Sequence, residues 1–289
     1  MKNIIKILVF LAMAIPAQAI QKTQIYDEII RTDQTHVGDV LYLHGLGDNL
    51  ENHPRLFSEW TKRGYNVISF DYPDHGRTFT SKVDDLNFYT LKRLSNIAEK
   101  VLNEHRSNRD KKLVIAGWST GGILAIRAIQ DYFSKNLIKE IDSLILYAPG
   151  VGVKICPGNK YCTITNETLT DDEQFFNRTI SPKEPLLKPA FGMNLILEGR
   201  KSFKKIPAHI EALVFSASFD DKYVKTHKIH KWVNYQRDSG HKKIKLTHCP
   251  KSKHELDNGL SKSGSLEVRQ ESGDFLDGKH TLKRICHSL

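Results

Sequence analysis

What this 289-residue chain has little of narrows the field first. Beyond its N-terminal segment no apolar run approaches 20 residues, so no transmembrane helix is expected in the remainder. It has only four cysteines, and none are spaced C-x-x-C, which makes a structural metal site the weaker reading of them. No internal repeat or low-complexity tract stands out, which argues against a repeat architecture. No zinc finger and no RNA motif interleaving aromatic and basic residues is visible, so nucleic acid is not an expected partner. What remains is an ordinary globular balance, 39% hydrophobic and 26% charged, long enough for one large α/β domain or two small ones.

The first 19 residues read as a signal peptide rather than as part of the fold. Lys2 and Lys6 supply a positive start, Ile7 to Ile15 a short apolar core, and Ala17-Gln18-Ala19 a small-x-small cleavage site. The alternative is an uncleaved N-terminal anchor. A lipoprotein is disfavoured, because no cysteine stands at the cleavage point. The expected mature domain is 20–289, periplasmic or secreted. Export favours two disulfides among Cys156, Cys162, Cys249 and Cys286. Proximity suggests Cys156 with Cys162, leaving Cys249 with Cys286; four cysteines allow three pairings, and the choice stays open here. Cleavage lowers the net charge of +10 by two. Lys242, Lys243, Lys251 and Lys253 form a modest basic cluster, read either as solvated surface or as a contact for anionic lipid headgroups or an acidic substrate.

Along the chain, short runs rich in Val, Ile and Leu alternate with amphipathic stretches. Strands are expected at Val40–Leu43, Tyr65–Phe70, Lys112–Ala116, Ser143–Tyr147, Ala212–Phe215 and Ile244–Leu246. Such near-continuous apolar strands suit a parallel sheet covered on both faces. Helices are expected over Pro54–Arg63, Asn87–His105, Gly122–Phe133 and Thr226–Tyr235. The alternation predicts a mostly parallel, doubly wound α/β sheet. From about 150 to 205 it breaks down: Pro157, Pro182, Pro185, Pro189, one cysteine pair and Asp171-Asp172-Glu173 read as a short lid insertion.

Gly117-Trp118-Ser119-Thr120-Gly121 is a weak pattern in isolation. Here a strand precedes it and a helix follows, the setting of a nucleophile elbow. Two glycines let backbone pass close to the serine, and the helix N-terminus brings partial positive charge to a developing oxyanion. Upstream, His44-Gly45-Leu46-Gly47 follows the first strand. A tetrahedral intermediate needs two N–H donors, expected from Leu46 and Thr120. His44 reads as a holder of this loop rather than as a base.

Four segments carry a resemblance to the α/β-hydrolase superfamily, and within it to the lysophospholipase, monoacylglycerol lipase and serine aminopeptidase-like branch. They are Leu43 to Gly47, Phe70-Asp71-Tyr72-Pro73-Asp74-His75-Gly76-Arg77-Thr78, Gly117 to Gly122, and Lys253-His254-Glu255-Leu256. The resemblance implies an α/β-hydrolase fold and the order Ser, acid, His. It places Ser119 as nucleophile and His254 as base, ahead of His248 and His241. Asp221 is the favoured acid, because Asp221 and Val224 fit D-x-x-V, with Asp220 as the alternative register. Two departures stand out. Trp118 occupies a position where histidine is frequent, and the closing helix is expected only near Leu266.

The implied activity is hydrolysis of carboxylic esters of lipid or small acyl groups through an acyl-enzyme, with no cofactor or metal. A peptidase releasing N-terminal residues, which would need an acidic pocket such as Asp171 to Glu173, and a non-catalytic binding protein are the alternatives. Oligomeric state is not legible.

Overall fold

The computed structural model describes residues 22–81, 83–106, 108–154, 189–218, 221–257, 259, 264–279 and 286–288. The expected signal peptide, most of the expected lid, Cys156, Cys162 and Asp220 lie outside these residues.

Eight strands form one sheet: β1 (Asp27–Ile30), β2 (Gly38–Leu43), β3 (Tyr65–Phe70), β4 (Lys112–Trp118), β5 (Ser143–Tyr147), β6 (Glu211–Ser216), β7 (Ile244–His248) and β8 (His287–Ser288). Their spatial order is β1-β3-β2-β4-β5-β6-β7-β8. The six inner strands are parallel, and β1 and β8 run antiparallel at the two edges. The doubly wound, mostly parallel sheet expected from the sequence is therefore present. All six expected strands occur, and those at residues 112 and 244 extend two residues further toward the site.

Residue alternation splits the core in two. Val40, Tyr42, Val114, Ala116 and Ile145 face one side, and Leu41, Leu43, Leu113, Ile115 and Leu144 the other. The first face is covered by α1 (Pro54–Thr61) and, near the C-terminus, by α7 (Ser265–Leu276). The second is covered by α2 (Leu91–His105), α3 (Thr120–Arg127) and α6 (Thr226–Asp238). A short α4 (Lys135–Glu140) precedes β5, and α5 (Pro189–Lys201) packs beside α3.

Several helix limits differ from the sequence reading, each for a local reason. The expected helix from Asn87 begins as a 3-10 turn at Leu86–Phe88, and α2 starts only after Thr90, whose side chain accepts the Arg93 N–H. The expected Gly122–Phe133 helix begins two residues earlier, directly after Ser119. It continues past Arg127 as a five-residue π-helical turn, Ala128–Tyr132. The closing helix starts at Ser265, one residue from the expected point. Within the expected lid, α5 buries Phe191 and Leu195. Its Glu198 pairs with the buried Arg127 at 2.7 Å, joining α5 to the helix behind Ser119.

Candidate active site

The carboxyl ends of the parallel strands β2, β4, β6 and β7 lie at one end of the sheet, where open α/β sheets build their sites. β4 delivers Ser119 at a sharp turn, φ 52° and ψ −110°, between strand and helix. A non-glycine residue there carries strain of about 1–3 kcal/mol. Three hydrogen bonds hold it: Ser119 N–H to Tyr147 O at 2.9 Å, and Gly150 and Ile123 N–H to Ser119 O at 2.8 and 3.2 Å. Both motif glycines are needed for packing. A Cβ on Gly117 would run into the Gly121 backbone, and one on Gly121 into the Leu43 and His44 carbonyls.

The turn after β6 supplies Asp221. Its Oδ1 accepts the N–H groups of Tyr223 at 2.7 Å and Val224 at 3.0 Å, which is the physical content of the D-x-x-V pattern. Its Oδ2 faces His254 Nδ1 at 2.8 Å. Burial alone would raise this carboxyl, but His254 and the two backbone donors hold it below the ordinary aspartate value. The loop after β7 brings His254 Nε2 to 2.9 Å from Ser119 Oγ. A carboxylate can only accept, so His254 carries its hydrogen on Nδ1 and offers the Nε2 lone pair to the serine hydroxyl. Asp221 and His254 are almost wholly buried. The structure thus brings Ser119, Asp221 and His254 into one hydrogen-bonded chain. It does not bring in the rival histidines: His248 Nδ1 meets Ser216 Oγ at 3.0 Å, and His241 sits buried in the turn between α6 and β7.

Thr120 opens α3, where the first N–H groups have no partner within the helix. Leu46 lies in the loop after β2. Two buried histidines fix that loop. His75 Nε2 accepts the Gly47 N–H at 2.9 Å while its Nδ1 donates to Pro73 O at 2.7 Å. His44 stacks on Tyr72, donates Nδ1–H to Gly45 O at 2.7 Å and accepts the Tyr72 N–H at 3.2 Å. Burial and the neighbouring His75 push His44 down to about 3, so it stays neutral and can accept. His44 and the Asp71 to Thr78 turn are thus parts of one clamp on the loop after β2 that carries Leu46.

Sequence reasoning noted Trp118 only as a departure. The indole is buried, its ring lies where a Gly45 side chain would be, and its Nε1–H donates to His254 O at 3.0 Å. One side chain therefore touches the loop after β2, the turn at Ser119 and the loop that carries His254. The sequence reading also missed a fully buried cluster beneath it. His53 Nε2 lies 2.6 Å from Asp48 Oδ2, and His53 Nδ1 lies 2.9 Å from Asp257 Oδ2. The Tyr42 hydroxyl also donates to Asp257 Oδ2, at 3.0 Å. Among the described residues, His53, Glu255 and Asp257 are close enough to hold a metal ion, their ligand atoms lying within 4.8 Å of one another. The two short contacts from His53 to carboxylates fit an imidazolium better, since both ring nitrogens then donate.

Of the four cysteines, Cys249 and Cys286 are joined, tying β8 to the end of β7 five residues before His254.

Residues 34–171 match the family model described as serine aminopeptidase, S33. A curated relative, "Putative esterase/lipase 2" of Mycoplasma pneumoniae, is 28% identical over 109 residues, 38% of this chain and 37% of that protein. The chain thus spans little more than a third of that relative's length. Among solved structures, a monoacylglycerol lipase from Paleococcus ferrophilus superimposes with a TM-score of 0.66 at 17% identity, over 88% of this chain and 99% of that one. A soluble variant of monoglyceride lipase from Saccharomyces cerevisiae, solved with a substrate analog, gives 0.66 at 19% identity, over 91% and 94%.

Proposed function

We propose that this chain, an α/β-hydrolase by fold and by the family model it matches, is an exported serine hydrolase that cleaves carboxylic esters, with lipid-derived esters as its substrate class. The observation that carries the reading is the unbroken chain from Asp221 Oδ2 to His254 and on to Ser119 Oγ, with contacts of 2.8 and 2.9 Å. The esterase/lipase name of the Mycoplasma pneumoniae relative and the monoacylglycerol lipases among the similar folds support an ester as the bond cut.

In this mechanism His254 Nε2 takes the hydroxyl proton as Ser119 Oγ bonds to the acyl carbon, and the carbonyl π pair moves onto oxygen. The N–H groups of Leu46 and Thr120 receive that oxyanion. Asp221 stabilises the imidazolium. The oxyanion then collapses, the ester C–O bond breaks, and His254 gives its proton to the departing alcohol. Water adds to the acyl-enzyme with His254 again as base, and Ser119 is regenerated as the acid leaves.

Labelling by a fluorophosphonate probe, lost in Ser119→Ala, tests the nucleophile. Turnover of p-nitrophenyl esters of graded chain length, a monoacylglycerol and a lysophospholipid tests the substrate class. A labelled enzyme that turns over none of these would overturn the ester reading. The description of the family model favours aminopeptidase activity as second reading, which hydrolysis of aminoacyl-naphthylamides would reveal. Export rests on the first 19 residues; finding them retained on protein recovered from the cytoplasm would refute it.

A further inference from the structure

We propose that His53 is a positioning residue for this hydrolysis, tying the oxyanion loop to the loop that carries His254. The proposal rests on the serine-hydrolase reading above and adds to it a part outside the reacting atoms.

His53 stands at the start of α1, outside both loops, yet it reaches each of them. On one side its Nε2 meets Asp48 Oδ2 at 2.6 Å. Asp48 follows Gly47, whose N–H is held by His75, and lies two residues from the Leu46 N–H assigned to the oxyanion. The other Asp48 oxygen accepts the Asn52 amide at 2.9 Å, so this carboxylate is fixed from two directions. On the other side His53 Nδ1 meets Asp257 Oδ2 at 2.9 Å. Asp257 lies three residues after His254, and Arg269 of α7 donates to its backbone carbonyl at 3.0 Å. Between the two ends, the His53 ring packs edge-on against Trp118, whose indole N–H holds His254 O. All of these side chains are buried.

The physical consequence follows from what an ion pair of this kind requires. Neither carboxylate can move away without leaving a buried charge unpaired, which is strongly unfavourable. The separation between Asp48 and Asp257 is therefore set by the width of one imidazole ring. That ring in turn sets where the Leu46 N–H stands relative to His254 Nε2. Both must serve the same substrate, the N–H at its carbonyl oxygen and the imidazole between Ser119 Oγ and its leaving oxygen. A displacement of about 1 Å between such groups costs on the order of 100-fold in rate. Burial alone would make His53 give up its proton, but Asp48 and Asp257 hold it on, raising the group to about 10, so the brace stays charged at neutral pH.

The test is kcat for p-nitrophenyl butyrate per active site titrated with a fluorophosphonate, in the full chain with its disulfide intact. Titration removes the effect of any misfolded fraction, which a purely stabilising role for His53 would change. In His53→Gln we expect kcat per titrated site to fall about 10- to 100-fold, with KM within about threefold of wild type. Asp257→Asn and Asp48→Asn, which each break one side of the brace, should shift kcat in the same direction. They carry the test if His53→Gln is not recovered folded. Unchanged kcat per titrated site in the folded variants would overturn the proposal and leave the cluster as packing alone. Wild-type protein that fails to label at all would instead overturn the serine-hydrolase reading, and this proposal with it, before any variant is compared.

Discussion

The most direct physical prediction concerns alkali, and it is independent of catalysis. His53 is held between Asp48 and Asp257, with Tyr42 and Glu255 close by in the same buried cluster, and its group is raised to about 10 from an ordinary 6.5. A histidine raised in the folded state contributes stability that is fully present below the unfolded value. That stability is lost as pH climbs from about 6.5 toward 10. Each unit of difference is worth about 1.4 kcal/mol, so the contribution lost across this window is on the order of a few kcal/mol. Acid works through the partners. Burial would raise the Asp48 and Asp257 carboxyls, but His53 holds them below the usual range. Their share is therefore present above pH 3.8 and lost as pH falls through their folded values. Histidine-selective 15N NMR reads the key species directly: at pH 8 one imidazole should retain protons on both nitrogens, and that signal should vanish in His53→Gln. Urea unfolding at intervals between pH 6.5 and 10 should show the matching decline. A His53 signal that titrates near 6.5 would refute the charge assignment.

Three further outcomes can be checked. Asp221→Asn should preserve the fold by circular dichroism while lowering kcat by roughly 1,000- to 10,000-fold at neutral pH, because the amide favours the wrong imidazole tautomer. Trp118→Phe keeps an aromatic ring under Gly45 but withdraws the donor from the buried His254 carbonyl. It should cost about 1–3 kcal/mol in urea unfolding and reduce kcat as well. Cys249→Ser opens a bond that spans 37 residues, and thermal or urea unfolding should show a loss of about 2–4 kcal/mol.

The parts of this architecture that could be read from the sequence are those in which neighbours along the chain act together. The elbow is one strand, five residues and one helix, and the D-x-x-V acid is a side chain bonded to backbone two and three residues on. Periodicity fails where local pattern is diluted. β1 is only Asp-Glu-Ile-Ile with every residue half-buried, so it shows no alternation. α5 buries Glu198 among apolar neighbours because Arg127 answers it from another helix. The same limit hid His53. Its carboxylates lie 5 and 204 residues away, and nothing near it in sequence announces a buried charge. Trp118 was visible as an unusual residue, but its bond to His254 O spans 136 positions.

The anchoring of the chain on either side of the region 155–188 has a practical consequence for redesign. On the near side Val153 bridges to Val224, and the Lys154 N–H donates to Tyr223 O at 2.9 Å, so the departure point is fastened to the turn that presents Asp221. On the far side α5 is fastened to α3 through Glu198 and Arg127. Each end of that region is thus tied, by contacts among the described residues, to an element beside Ser119 or Asp221. Replacing residues 155–188, with cuts after Lys154 and before Pro189, should therefore leave both anchors in place, which urea unfolding of the exchanged chain against the parent would check.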